Sequence, residues 1–251
     1  MSFFFLCLYA VGINHQKPSK KEALKAKNLL FVLFVLLGVL FIIGSTTGNR
    51  ILLIFSNFFL VPFLLVYYRI KARRLFLPIV LALLMFYIRD VLLYFGFNNN
   101  PLIIWGSFLM GMGLLFLCLV TAFERARVHP LEVLSFLIMY CFLGFLFISL
   151  AEVVPEVLPN EEFSAYLYLL LLVLLPAWGF TAYLLKSHMA SLWFLVASSA
   201  FLVSEVSLFF KVFILEDISV NFFYPFFHVL AYYGFVEYGC NRRLTGKLKY
   251  F

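Results

Sequence analysis

Apolar residues run along this chain in blocks of about 20, broken by short clusters of charged residues, Gly, Pro and Asn. The blocks lie at 28–46, 50–69, 75–96, 101–123, 130–151, 163–185, 189–213 and 219–238. Each is long enough, at about 1.5 Å per helical residue, to cross a hydrocarbon core roughly 30 Å thick. The pattern predicts an all-α polytopic bundle of eight transmembrane helices. The breaks have turn chemistry: Ser45-Thr46-Thr47-Gly48-Asn49 and Asn98-Asn99-Asn100-Pro101. Pro155 and Pro159 fall in an acidic loop. Pro62, Pro78, Pro176 and Pro225 lie within blocks or near their starts, where a membrane helix tolerates proline if neighbours satisfy the freed carbonyl.

Residues 1–12 are apolar but too short to span, and they lack a basic leading segment and a small-residue cleavage site. They read as an interfacial segment or half-helix. Residues 13–27 are polar and hold Lys17, Lys20, Lys21, Lys25 and Lys27. The expected division is therefore an N-terminal arm (1–27), a transmembrane domain (28–238) and a basic tail (239–251).

Composition agrees. Hydrophobic residues make up 65% of the chain and charged residues 12%, against about 45–50% and 25% in soluble domains. The formal charge of +7 would suggest nucleic acid in a soluble protein. Here the positive residues flank apolar blocks, which points to topology and anionic headgroups and away from nucleic acid. Sixteen Lys and Arg fall in the N-terminal arm, the even-numbered loops and the tail; only Arg50 falls on the other side, with Glu152, Glu156, Glu161, Glu162, Glu216 and Asp217. The positive-inside rule then puts both termini in the cytoplasm, in a protein of the cell membrane.

Two stretches carry acids deep inside apolar runs: Arg89-Asp90-Val91-Leu92-Leu93-Tyr94-Phe95 and Ser204-Glu205-Val206-Ser207-Leu208-Phe209-Phe210. A carboxylate in hydrocarbon costs several kcal/mol, so it needs a task or a partner. Both stretches read acid, Val, any residue, Leu, aromatic, Phe. Spans 3 and 7 run in the same direction, and each acid lies roughly 23 Å from the basic edge. The equivalence suggests two parallel four-helix repeats presenting Asp90 and Glu205 to one site. Phe86 and Tyr94 share the Asp90 face; Phe201, Leu208 and Phe209 share that of Glu205. The adjacent side chains of Arg89 and Asp90 diverge by about 100°; Arg89 could still pair with Glu205 or another acid across the bundle, and such a bridge would be structural. Three readings follow: a structural bridge, a catalytic or substrate-binding acid pair, and an ion-transport site.

Other polar residues are weaker signals. His228 reads as an interhelical residue or as part of a site lining. Lys211 reads as snorkelling at the outer end of span 7. Glu237, Glu132 and Glu124 are expected near cytoplasmic ends, in water. Cys7, Cys118, Cys141 and Cys240 have no metal-ligand spacing and read as packing residues. Phosphate-loop, Gly-x-Ser-x-Gly and His-Glu-x-x-His patterns are absent.

At the buried acids the chain resembles the YhhN family, which includes the lysoplasmalogenases. Asp90 and Leu93 fit the family's Gly-Asp-x-x-Leu in the third helix. Phe201, Ser204 and Leu208 fit its Gly-Ala-x-Leu-Phe-x-x-Ser-Asp-x-x-Leu in the seventh. Pro62-Phe63-Leu64-Leu65-Val66-Tyr67-Tyr68 is similar to the second helix, and Phe227-His228-Val229-Leu230-Ala231-Tyr232 to a Tyr-x-x-Ala-Gln in the last. Arg89 replaces Gly, Glu205 replaces Asp, Tyr232 replaces Gln, and the family's fourth-helix Gly-His-x-x-Tyr has no counterpart in Gly111-Met112-Gly113-Leu114-Leu115-Phe116.

The resemblance implies a membrane lipid hydrolase. It would split the vinyl ether of a lysoplasmalogen into a fatty aldehyde and a glycerophospho-base, without a metal or other cofactor. Asp90 and Glu205 would be the catalytic carboxyl groups. Arg89, Tyr94, Phe201, Ser204 and His228 would line the substrate, a membrane lipid or lysophospholipid. If Arg89 holds Asp90 ionised, Glu205 is the acid; the reverse assignment stays open. The alternatives are a non-catalytic protein binding a lipid or a partner, with a structural Arg–carboxylate bridge, and a proton-coupled transporter.

Overall fold

A computed structural model describes residues 20–72, 75–94, 101–121, 130–157, 162–214 and 218–242. Eight long helices occupy them: α1 (Lys20–Thr46), α2 (Arg50–Ala72), α3 (Leu77–Tyr94), α4 (Pro101–Val120), α5 (Pro130–Ala151), α6 (Glu162–Lys186), α7 (Met189–Phe213) and α8 (Ile218–Asn241). A single helical turn, Val154–Val157, links α5 to α6. Each expected block contains one of these long helices. The largest difference is at α1, which begins at Lys20 and carries the basic segment 20–27 into the helix. Residues 1–12 lie outside the described residues.

Six of the helices are long and apolar enough to cross a membrane: α1, α2, α4, α5, α6 and α7. The chain is thus an all-helical, multi-pass integral membrane protein. The other two helices, α3 and α8, carry Arg89 and Asp90, and His228 and Glu237.

Among the described residues, packing follows the chain from α1 to α4 and again from α5 to α8; α4 packs on α6 rather than on α5, and α8 closes the bundle against α1. α8 packs most extensively on α7, and also touches α1, α2 and α3. α6 touches α4, α5 and α7. Polar contacts tie the ends. Lys71 at the end of α2 pairs with Glu237 near the end of α8, and Arg242 just beyond α8 donates to Thr121 Oγ1 beyond α4 at 2.7 Å. At the opposite end Lys211 of α7 donates to Ser45 Oγ of α1 at 3.0 Å. The helices α1 and α5, which two four-helix repeats would make equivalent, sit differently. α1 packs on α8, whereas α5 packs on α6 with only 11% of its apolar window buried, against 50% for α7.

Glycines allow two close helix approaches. A Cβ on Gly44 would meet the Leu53 backbone nitrogen at 2.8 Å, so the α1–α2 turn closes only without a side chain there. A Cβ on Gly234 would meet Ala197 Cβ at 2.8 Å, which explains how closely α8 lies on α7. One core then runs through the bundle, with Leu60, Leu64, Phe86, Phe194, Phe201, Tyr232 and Phe235 fully buried.

Candidate functional site

Asp90 and Glu205 meet at one guanidinium. From α3, Arg89 Nη1 donates to Glu205 Oε2 at 2.9 Å and Nη2 to Oε1 at 2.7 Å. Arg89 Nε and Nη2 also donate to Asp90 Oδ1, at 3.1 and 3.0 Å. The expected divergence of Arg89 from its neighbour Asp90 does not hold. The arginine side chain is long enough to curl back, and its fork has donors on two edges. Both carboxylates bond the same Nη2, so those two oxygens are at most about 6 Å apart.

Further donors come from α6 and α8. Tyr168 donates its hydroxyl to Glu205 Oε2. Tyr232 donates to Asp90 Oδ2 at 2.7 Å. His228 Nε2 lies 3.1 Å from the same Asp90 oxygen, close enough for an ion pair when protonated, though not aligned for a hydrogen bond. Its Nδ1 has no hydrogen-bond partner among the described residues. His228 is bracketed by the rings of Phe41, Tyr224 and Tyr232, at 5.9, 5.5 and 4.2 Å. The Arg89, Asp90, Glu205 and His228 side chains are at most 4% exposed.

Aromatic packing holds this cluster in place. The guanidinium lies 5.9 Å from the Phe86 ring and 5.4 Å from that of Phe108, a geometry that favours a cation near the ring face. Phe201 stacks behind, 4.9 Å from Phe86. Gly111 makes room for this ring: a Cβ there would meet Phe86 Cε1 at 2.7 Å. The α4 glycine thus serves the site through Phe86.

The remaining expected site residues divide. Ser204 donates to the Tyr224 carbonyl at 3.1 Å and ties α7 to α8, away from the carboxylates. Phe201 supports Phe86 and contributes no polar contact. The Tyr94 side chain lies outside the described residues. No sequence motif marks Tyr168, and Tyr232 stands out in the sequence only as a replacement for Gln. The available signal was a phenol in the middle of an apolar run, which needs a partner as a buried acid does.

Glu237 corrects the expectation of a solvated acid. It is 3% exposed, accepts from Tyr67 at 3.3 Å and pairs with Lys71. Its position near a helix end suggested water, but the end of α2 supplies the counter-charge. On α2, Asn57 is also buried with both amide atoms unmatched among the described residues. It lies one turn from Leu53, which packs with Phe41 and Tyr224 beside His228. These unmatched groups would accept a polar guest, because buried polar atoms ordinarily have partners.

Comparison with family models, with curated proteins and with solved structures finds no match for this chain.

Proposed function

We propose that this chain is an eight-span, YhhN-like lipid hydrolase of the cell membrane, with both termini cytoplasmic, acting on the vinyl ether of a lysoplasmalogen. The observation that carries the reading is the shared Arg89: it gathers Asp90 and Glu205, from two different helices, into one buried cluster. Charge assigns the roles. One guanidinium between two carboxylates leaves one negative charge in excess, costly in low dielectric, and one added proton balances it. Each carboxylate accepts two Arg89 N–H bonds and one tyrosine hydroxyl, but Glu205 takes the fork on both its oxygens, whereas Asp90 takes it on one and has an imidazole beside the other. The place for the proton is then between Asp90 Oδ2 and His228 Nε2.

In this reading the Asp90–His228 end delivers a proton to the vinyl carbon remote from oxygen. The resulting oxocarbenium ion is stabilised by Glu205, which also takes a proton from the attacking water. The hemiacetal collapses to aldehyde and glycerophospho-base. Glycosidases divide acid and base work between carboxyl groups in the same manner.

Sidedness rests on the basic loops and on the ties that join the ends of α2, α4 and α8 at one side. The test is lysoplasmalogen turnover by purified protein, beside Asp90→Asn and Glu205→Gln, with folding followed by thermal melting. Aldehyde release by the wild type, lost in both folded variants, is the expected result. No release by the wild type rejects the hydrolase.

A second reading is favoured by the sealing of the cluster and by the four hydrogen bonds that commit Arg89 to the two carboxylates. Here the protein binds a lipid or partner without catalysis, and the bridge is structural. It expects no aldehyde, and variants that melt early.

A further inference from the structure

A second site lies apart from the carboxylate pair, where α1, α2 and α8 leave a cleft of about 390 Å³ lined by Lys27, Asn28, Phe31, Val32, Tyr67 and Tyr233. Its lower wall is aromatic: Phe31 lies 5.9 Å from Tyr67 and 5.7 Å from Tyr233. The Tyr67 hydroxyl is committed to Glu237, and Glu237 is neutralised by Lys71. The Tyr233 hydroxyl is likewise committed to Glu237 and Tyr67, which leaves Lys27 and Asn28 as the uncommitted polar groups of the cleft. Lys27 has no ion-pair partner among the described residues, and it is half-buried, which restricts its access to water.

Position decides what would balance that charge. Lys27 lies one turn inside the start of the apolar stretch Leu24–Thr46, at the level of headgroups. Lys25 is exposed just below it. From the cleft residues Phe31 and Val32, an exposed apolar ridge continues along α1 through Val35, Leu36, Val39 and Ile43. A cation at the foot of an apolar ridge complements a ligand with an anion at one end and a hydrocarbon chain at the other.

We propose that this cleft binds a membrane phospholipid, its phosphate held by Lys27 and Asn28 and one acyl chain lying along α1. A headgroup site of this kind anchors α1 against α2 and α8 at the membrane surface. It does not depend on whether the buried carboxylates turn over a lipid.

The test is native mass spectrometry of the purified full chain with dioleoylphosphatidylglycerol. Wild type and Lys25→Gln should retain one lipid. Lys27→Gln should retain it with affinity lower by roughly fivefold or more, as expected for losing one Lys at the surface. Val32→Trp, which fills the apolar part of the cleft, should lower retention as well. Thermal melting checks that each variant is folded; if Lys27→Gln does not fold, Val32→Trp decides. Equal loss in Lys25→Gln would mean diffuse surface attraction and overturn the site. Undiminished binding by folded Lys27→Gln and Val32→Trp would do the same. Displacement of the lipid by inorganic phosphate alone would assign the cleft to free phosphate, and the lipid would be wrong. None of these readouts measures aldehyde, so the site and the hydrolase can fail separately.

Discussion

Arg89 and Glu205 are 116 residues apart in the chain and meet in a two-pronged bond, Nη1 to Oε2 at 2.9 Å and Nη2 to Oε1 at 2.7 Å. The same fork holds Asp90. Arg89→Met would leave two buried carboxylates without a cation and should cost about 3–5 kcal/mol. Glu205→Gln keeps an acceptor and relieves the excess negative charge, so it should cost less, about 1.5–3 kcal/mol. Unfolding in detergent, followed by melting, measures both. A wild-type melting point for Arg89→Met would show that the bridge does not hold the bundle.

The phenols should be coupled to their acids. Tyr232→Phe removes the 2.7 Å bond to Asp90, and a hydrogen bond to a charged group is worth about 1.5–3 kcal/mol. Combined with Asp90→Asn, the loss should be smaller than the sum of the two single losses, because each variant already disables the shared bond. Tyr168→Phe with Glu205→Gln should behave alike. Strict additivity in both cycles would refute the contacts.

Glycine substitutions should separate by position. Gly44→Ala forces a Cβ against the Leu53 backbone, which cannot swing away as a side chain would. A cost of about 1–3 kcal/mol is expected. Gly113→Ala meets nothing within 4 Å and should cost nothing, or gain up to about 1 kcal/mol from helix propensity. Comparable melting of the two variants would contradict the close α1–α2 approach.

Sidedness can be read by cysteine labelling. In a cysteine-free background, Thr47→Cys and Ser187→Cys place thiols at two exposed turns, one after α1 and the other after α6. With eight spans and a cytoplasmic N-terminus, a membrane-impermeant maleimide added to intact cells should label Thr47→Cys alone. Permeabilised cells should show both. Labelling of Ser187→Cys in intact cells would remove the alternating topology.

Much of this bundle was legible in the chain because hydrophobicity is a local property. Runs of 20 apolar residues fix helix length, and turn residues such as Gly48 and Asn49 fix the breaks, so eight helices fell where eight blocks were expected. The depth of Asp90 and Glu205 was equally local, since helical rise converts residue number into height. Which way a side chain points is not local. Sequence adjacency suggested that Arg89 would turn away from Asp90, yet a long flexible arginine reaches both its neighbour and a helix across the bundle.

Height alone also misled at Glu237, expected in water for its place near a helix end. Whether that end is wet depends on α2 and on Lys71, 166 residues earlier. Tyr168 and Ser204 show the same limit from opposite sides. The first joins Glu205 from a helix with no sequence motif, while the second, inside a motif, serves to tie α7 to the backbone of α8.

Residue order alone points to a multi-pass helical membrane protein with an acid deep in each of two spans, because hydrophobicity is read residue by residue along the chain. That one arginine serves both acids, that two tyrosines and a histidine complete their surroundings, and that Lys27 faces a cleft emerge with the folded bundle. Those facts depend on which helix faces lie together, and that is set by the close approaches at Gly44, Gly111 and Gly234 and by packing among helices far apart in the chain.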